Sequence, residues 1–232
     1  MNPQLVNHLF PGRTALPVYR QLPALQGCYI RFEGGRPLRV STATFAPTHV
    51  TSLLLMRTTV DVMERFGLCL RPLDVLDMGC GVGNVSIEAA GINPSARITA
   101  ADISLKALDD ARFNVMEHGL GSQIQVVQSD LFRSLAGRTF DLVLFNVPGE
   151  PNRSQVISPF MRELRSHINP GALCVLTWPR YFCFAGDWNP TTEETLFDQA
   201  RKFSFSCARA AQENVSEGYA TYLLQANPEQ NF

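Results

Sequence analysis

The sequence predicts an α/β fold with a doubly wound, seven-stranded and mostly parallel sheet. From residue 73 onward, short apolar runs alternate with helix-like stretches, and the first run passes through a glycine-rich loop, GCGVGN, into a helix. Parallel strands need crossover helices between them, so the alternation indicates βαβ units. We expect residues 1–46 to form a lid segment with a β-hairpin, and residues 47–232 to form the α/β domain.

The segment before the sheet carries its own signals. Residues 1–27 are rich in proline and lack a clear period, which favours an appendage with one or two short helices. Two β-type runs about a Gly-Gly pair predict a hairpin over residues 28–41. Pro47 and Thr48 then open a helix that Gly67 can close in a left-handed cap.

Strand and helix patterns alternate through the rest of the chain. The parallel strands are predicted at residues 73–77, 97–101, 124–128, 141–146 and 172–177. The helices are predicted at residues 83–91, 104–118, 155–167 and 191–203. Two final strand-like runs, FSFSCARAA and GYATYLLQA, are joined by a short polar link, so we expect them to pair antiparallel at the sheet edge.

The composition is that of a globular chain without a surplus of positive charge. Of 232 residues, 45% are hydrophobic and 18% are charged, and the formal net charge is −1. Proteins that bind a phosphate backbone normally carry a basic surplus, so this balance argues against a nucleic acid partner and favours small substrates or protein side chains. The six scattered cysteines lack metal-ligand spacing, so we expect no metal site and a reduced, cytoplasmic protein. No segment reaches membrane-spanning length, and the oligomeric state stays open.

The stretch VLDMGCGVGNV contains the clearest ligand signal. Its glycines, Gly79, Gly81 and Gly83, can turn the chain sharply and bring bare backbone N–H groups to a ligand at the helix N-terminus. A dinucleotide loop reads G-x-G-x-x-G/A and usually has no acid two residues before its first glycine. This loop reads G-x-G-x-G and has Asp77 at that place, so it differs from a dinucleotide-binding loop.

Two further acids follow the neighbouring strands. Asp102 ends the second strand, and Asp130 lies just past the third. A doubly wound sheet binds its ligand at the carboxyl ends of its strands, so we expect these acids to meet Asp77 at one cleft. A carboxylate at the place of Asp102 suits the ribose of NAD or of another nucleoside, so this residue does not discriminate between them.

The glycine loop with its three acids resembles the first motifs of the class I S-adenosylmethionine-dependent methyltransferases, over residues 72–180. The resemblance implies a Rossmann-like domain whose loop wraps the methionine and ribose parts of S-adenosylmethionine. It implies that Asp77 supports the ammonium group, that Asp102 binds the ribose, and that Asp130 meets the adenine amino group. The cofactor-binding residues that it implies are Asp77, Gly79, Cys80, Gly81, Gly83, Asn84, Asp102, Ile103, Asp130, Leu131, Asn146 and Thr48.

The fourth predicted strand ends in FNVPGEP. It resembles the methyltransferase branch whose fourth motif is Asn or Asp, then Pro-Pro and an aromatic, which includes glutamine-amide methyltransferases of release factors and amino-group methyltransferases of nucleobases. The resemblance implies that the Asn146 side-chain oxygen and the Val147 carbonyl accept hydrogen bonds from the target nitrogen. We expect Tyr181 to line the acceptor pocket, so Asn146 and Tyr181 are the candidate catalytic residues. Val147 replaces the first proline of the motif, and Gly149 replaces the aromatic.

The acceptor side therefore predicts a nitrogen nucleophile that attacks the sulfonium of S-adenosylmethionine. Since the stacking aromatic is missing, we expect methyl transfer to an amine or amide of a small molecule. One alternative is a cyclase that forms azetidine-2-carboxylate and methylthioadenosine from the cofactor alone. Another is methyl transfer to an RNA base or to a protein glutamine, because the stretches DLF, ALDDARFN and FAPTHVTSLLL also resemble the glutamine-amide branch.

Overall fold

The protein's structure, a computed structural model, describes residues 19–22, 28–32, 37–41, 44–149, 152–179, 182–184, 187–189, 191–212 and 218–227. Its strands are β1 (Tyr19–Leu22), β2 (Cys28–Phe32), β3 (Leu38–Val40), β4 (Asp74–Met78), β5 (Arg97–Asp102), β6 (Ile124–Gln128), β7 (Phe140–Asn146), β8 (Ile168–Pro179), β9 (Phe182–Phe184), β10 (Asp187–Asn189), β11 (Phe205–Gln212) and β12 (Tyr219–Ala226). Its α-helices are α1 (Val50–Arg65), α2 (Asn84–Ile92), α3 (Leu105–Glu117), α4 (Asn152–Leu164) and α5 (Thr191–Lys202).

Seven strands form the central sheet in the order β11-β12-β8-β7-β4-β5-β6. The strands from β8 to β6 are parallel, and β12 pairs antiparallel with both β8 and β11. The predicted doubly wound, mostly parallel sheet is therefore confirmed. The chain order reverses between β4 and β7, so the carboxyl ends of these two strands form the switch point where such sheets bind ligands.

Alternation of side chains along the strands gives the sheet two apolar faces. On one face, Val75 and Leu144 pack with residues of α1, α2 and α3. On the other face, Leu76 and Phe145 pack with residues of α4 and α5. Both faces are covered, as parallel sheets require, which is why the central strands are continuous apolar runs in the sequence.

The predicted elements agree with the structure except at a few ends. His49 caps α1, which starts at Val50, and Gly67 adopts the expected left-handed conformation behind it (φ 66°). Strand β8 begins four residues earlier than its apolar run, because its first residues pair with β7 before a register shift. This stretch contains the exposed Pro170, so the pattern of apolar residues did not predict a strand there.

The N-terminal segment forms a small sheet in the order β1-β2-β3. The predicted pairing of β2 with β3 is confirmed, while its turn, residues 33–36, lies outside the described residues. Residues 19–22 form a strand where short helices were expected, because β2 offers them an open edge for antiparallel pairing. In the described part of the chain, no helix is long and apolar enough to cross a membrane.

Candidate functional site

The glycine loop connects β4 to α2 at the switch point. Gly79, Gly81 and Gly83 have φ values of 65°, 54° and 82°, in the left-handed region where side chains are strained. A Cβ on Gly81 would meet no atom within 4 Å, so the backbone conformation alone requires glycine there. Cys80 lies inside this turn, and burial raises the pKa of its thiol well above the usual range, which makes it a packing residue.

Asp77 lies beneath the loop and is almost fully buried. Its Oδ2 accepts hydrogen bonds from the backbone N–H of Ser86 at 3.0 Å and from the Ser86 hydroxyl at 2.6 Å. Burial raises the pKa of Asp77 to about 7, against the hydrogen bonds from Ser86, which lower it. A buried carboxylate with this pKa gains from a neighbouring cation, so the site fits the ammonium group of S-adenosylmethionine.

Asp102 ties the loop to the start of α3. Its Oδ2 accepts a hydrogen bond from Gly81 N–H and its Oδ1 accepts one from Ser104 N–H, both at 2.9 Å. An ionised carboxylate has about four lone-pair sites, so each oxygen can still accept a ribose hydroxyl. Ile103 follows with 64% of its surface exposed, and such an apolar side chain beside the acid fits the flat adenine ring.

Asp130 and Leu131 form a turn after β6. The Asp130 carboxylate is exposed and lies 3.9 Å from the Arg133 guanidinium. Leu131 has a φ of 48°, which is rare outside glycine and costs on the order of 1–3 kcal/mol. Ser129 holds this turn, since its hydroxyl donates to the Leu131 carbonyl at 2.6 Å and accepts from Ser134 N–H at 3.1 Å. No sequence pattern indicated this role of Ser129.

Asn146 lies at the tip of β7, next to the tip of β4. Its Nδ2 donates to the Ser52 hydroxyl of α1 at 3.1 Å, and its Oδ1 accepts from the Thr177 hydroxyl of β8 at 2.7 Å. Both partners are buried, while Asn146 is half-buried. Sequence reasoning missed Ser52 and Thr177, although the register of β7 and β8 places Thr177 directly opposite Asn146.

The remaining predicted site residues have varied surroundings. Asn84 starts α2 and is buried, and its Nδ2 donates to the Met56 sulfur at 3.1 Å, so its side chain packs within the protein. Thr48 is half-buried, two residues before α1. Gly149 is exposed, and Tyr181 lies outside the described residues, so its place in an acceptor pocket stays a prediction.

Comparison with known proteins gives relatives for the central part of the chain. The sequence profile of the Methyltransferase small domain family matches residues 53–178, more than half of the chain. A release factor glutamine methyltransferase of Rhodopirellula baltica is 35% identical over 112 residues, 48% of this chain and 38% of the relative. A ribosomal protein uL3 glutamine methyltransferase of Neisseria meningitidis is 41% identical over 101 residues, 43% of this chain and 33% of the relative. The matches thus span less than half the length of these relatives.

Solved structures show the same fold. A 16S rRNA methyltransferase of T. thermophilus in complex with AdoMet and guanosine superposes with a TM-score of 0.62 at 19% identity, over 94% of this chain and 52% of that one. A ribosomal protein L11 methylase of Lactobacillus delbrueckii subsp. bulgaricus superposes with a TM-score of 0.60 at 18% identity, over 82% of this chain and 84% of that one. At these identities the likeness concerns the fold alone.

These comparisons correct one expectation. The sequence relatives are named for release factor and ribosomal protein substrates, which are macromolecules, and the structural neighbour of T. thermophilus is named for 16S rRNA. The expectation of a small-molecule substrate, with nucleic acid set aside as a partner, is therefore wrong. Net charge misled the argument against nucleic acid, because a value for the whole chain says nothing about local surface charge. The missing aromatic of the fourth motif misled the choice of a small molecule, because it says nothing about the size of the molecule that carries the acceptor nitrogen. The cyclase alternative finds no support among these proteins.

The profile match and the site geometry agree. The matched residues, 53–178, contain the glycine loop, the three acids and Asn146, and these features lie at the carboxyl ends of β4, β5, β6 and β7. The loop conformation and the buried Asp77 fit S-adenosylmethionine, which the resemblance implied as cofactor. The chain belongs to the Methyltransferase small domain family of S-adenosylmethionine-dependent enzymes.

Proposed function

We propose that this protein transfers a methyl group from S-adenosylmethionine to the side-chain amide nitrogen of a glutamine in a protein of the translation apparatus. The observation that carries the proposal is Asn146, held at the tip of β7 with the Val147 carbonyl directly after it. The glutamine methyltransferase relatives, 35% and 41% identical over their matched regions, support this class of acceptor. Release factors and ribosomal proteins work in the cytoplasm, so the proposal places the enzyme there.

The cofactor half of the site follows from charge and shape. S-adenosylmethionine, when bound, supplies an electrophilic methyl group on a positively charged sulfur. Asp77 would hold the ammonium group, Asp102 the ribose hydroxyls, and Asp130 the adenine amino group beside Ile103. Each assignment pairs a hydrogen-bond donor of the cofactor with a carboxylate at the end of a strand, where sheets of this type bind their ligands.

The acceptor half works by orientation. A primary amide nitrogen has two N–H groups, and the Asn146 Oδ1 with the Val147 carbonyl offers two acceptors for them. The nitrogen of an amide is a weak nucleophile, so holding it in line with the methyl group is what the protein can contribute. The side chains that contact Asn146, Ser52 and Thr177, are hydroxyls and not bases at neutral pH, which favours positioning over general-base catalysis.

Gly149 removes the stacking ring of the fourth motif for either acceptor, and this loss should cost a nucleobase more than a glutamine amide. Where the related fourth motif has an aromatic ring, this chain has an exposed residue with no side chain. Stacking on an aromatic is worth about 1–3 kcal/mol per base, so its loss weakens a site for a large flat acceptor. A glutamine amide is smaller and is fixed mainly by its hydrogen bonds.

The test is methylation with labelled S-adenosylmethionine and three separate acceptors. The acceptors are purified unmethylated release factor, ribosomal protein uL3 and 16S rRNA, and Asn146→Ala is the inactive control. We expect label in one of the proteins, at a glutamine identified by mass spectrometry, and none with Asn146→Ala. Label only in the rRNA would overturn the proposal, and so would methylthioadenosine formed without any acceptor.

A further inference from the structure

We infer that Asn114, on α3, is a positioning residue for the cofactor loop. It ties the carbonyl of Val82 to the backbone of β3, so that docking of the N-terminal sheet holds the loop in the conformation that S-adenosylmethionine requires. The inference rests on the cofactor-binding half of the proposed function and is independent of the acceptor. It also gives the stretch ALDDARFN, which ends at Asn114, a physical role.

Asn114 is fully buried and uses its whole carboxamide. Its Nδ2 donates to the carbonyls of Val82 and Arg39, both at 2.9 Å, and its Oδ1 accepts from the backbone N–H of Arg39 at 2.7 Å. All of these partners are backbone groups, and a carbonyl only accepts whereas an N–H only donates. The carboxamide therefore has a single orientation, because a flip would break all of these bonds at once.

Val82 is the residue of the loop at which such a tie has most effect. It lies between Gly81 and Gly83, whose left-handed conformations glycine adopts and leaves at little cost, so hydrogen bonds have to hold them. Gly81 N–H donates to Asp102 at 2.9 Å and Gly83 N–H donates to the Cys80 carbonyl at 2.8 Å, and the bond from Asn114 adds to these. Fixing the Val82 carbonyl fixes the peptide plane that leads into Gly83. The Val82 side chain is also buried, in a cluster with Ile30 and Val40 of the N-terminal sheet.

A second tie on the same face of α3 fastens β3 in place. Asp110, one helical turn before Asn114, accepts hydrogen bonds from the Arg39 Nε at 2.8 Å, from Ser41 N–H at 2.7 Å and from the Thr44 hydroxyl at 3.0 Å. Residues four apart on a helix lie on one face, so both side chains meet the same strand. The loop is thus supported through α3 by a strand more than thirty residues away in the sequence.

Docking of β3 and binding of the cofactor must then be coupled. If the tie is broken, the loop samples other conformations and the cofactor has to reorder it, which lowers the apparent affinity by the fraction of molecules that are competent. By reciprocity, bound S-adenosylmethionine should strengthen the docking of β3. Both effects are measurable without any methyl acceptor.

The experiment measures S-adenosylmethionine binding to the full chain by titration calorimetry. The variants are Asn114→Ala and the milder Asp110→Asn, which keeps Asn114 but weakens the docking of β3. The matched control is Asn93→Ala. Asn93 is equally buried and makes the same kind of bonds, with Nδ2 donating to the carbonyls of Leu68 and Arg71 and Oδ1 accepting from Ser95 N–H, but it lies at the other end of α2.

We expect Asn114→Ala and Asn93→Ala to lose similar stability in urea, and only Asn114→Ala to weaken binding, by about tenfold or more. Asp110→Asn should weaken binding several-fold, and it keeps the test available if Asn114→Ala does not fold. In the wild type, bound cofactor should slow hydrogen exchange at residues 39–41. The inference is overturned if Asn114→Ala binds S-adenosylmethionine as tightly as the wild type does. If Asn114→Ala does not fold, the same result for Asp110→Asn overturns it. Failure to methylate glutamine by a wild type that binds the cofactor would instead overturn the proposed function alone.

Discussion

We expect Asp77 to make the binding of S-adenosylmethionine depend on pH. In the free protein its pKa is raised to about 7, chiefly by burial. The ammonium group requires the ionised carboxylate, so binding must remove the proton when one is present. The apparent Kd is then multiplied by one plus the ratio of protonated to ionised Asp77, which is roughly elevenfold at pH 6 and less than twofold at pH 7.5. We therefore expect Kd to be about eightfold higher at pH 6 than at pH 7.5.

The sign for stability is opposite to the sign for binding. The folded-state pKa of Asp77 lies above its unfolded value, so folding favours the protonated form. This contribution is fully present below about pH 4 and is lost as the pH rises through about 7. Asp77→Asn removes the titration, so we expect it to stabilise the cofactor-free protein near pH 8 while abolishing tight binding.

Titration calorimetry at pH 6, 6.5, 7 and 7.5 measures the Kd for S-adenosylmethionine. The difference between the binding enthalpies in two buffers of different ionisation enthalpy gives the number of protons released on binding. Asp102→Asn serves as a comparison: it removes a negative charge that helps to raise the pKa of Asp77, so the increase of Kd toward pH 6 should become smaller. A Kd for the wild type that does not change between pH 6 and pH 7.5, with no proton release, would refute the assignment of Asp77 to the ammonium group.

Further predictions concern Asn146, the loop and the adenine site. Thr177→Val removes the hydroxyl that holds the Asn146 carboxamide, so it should lower kcat roughly tenfold, which is about 1.4 kcal/mol in the activation barrier. The Kd for S-adenosylmethionine should stay unchanged, and Thr177→Ser should restore the rate. Gly81→Ala should destabilise the protein by about 1–2 kcal/mol in urea unfolding, because alanine is strained in the left-handed backbone conformation. Gly91→Ala should not destabilise the protein, because Gly91 lies in a helix and an added Cβ would meet no atom within 4 Å. Equal losses of stability in the two variants would contradict this prediction. Asp130→Ala should weaken cofactor binding about tenfold at unchanged urea stability, since this side chain is exposed; unaltered affinity would argue against adenine recognition there.

The sheet and the cofactor side of the site could be predicted from the sequence because their signals are local. A parallel strand, a crossover helix and the acid at the strand end lie within a few residues of one another. The topology then brings Asp77, Asp102 and Asp130 to the same edge without further information. The N-terminal strand β1 escaped prediction, since four residues between prolines are too few to show a period and the pairing depends on β2.

The partners of the site residues could not be predicted, because they come from distant parts of the chain. Ser52 meets Asn146 across 94 residues, and Asn114 meets Arg39 across 75. Such contacts depend on strand register and on how a helix crosses the sheet, which no local pattern encodes. The stretch around Asn114 was recognised only as a family likeness, and its contacts with β3 and the loop explain it physically.

Two helices meet the switch point through a serine in their first turn, but the serine of α1 accepts a hydrogen bond there whereas the serine of α2 donates. The third residue of α1 is Ser52 and the third residue of α2 is Ser86, and each hydroxyl holds the polar side chain at the tip of a neighbouring strand, Asn146 of β7 and Asp77 of β4. The first turn of a helix presents unpaired N–H groups and a partial positive charge, which favour a carboxylate or a carbonyl oxygen. The N-termini of α1 and α2 would therefore also stabilise the carboxylate of a bound cofactor. Its ammonium group, in contrast, can find a counter-charge only at an acid such as Asp77, which is why the titration of this one side chain should govern cofactor binding.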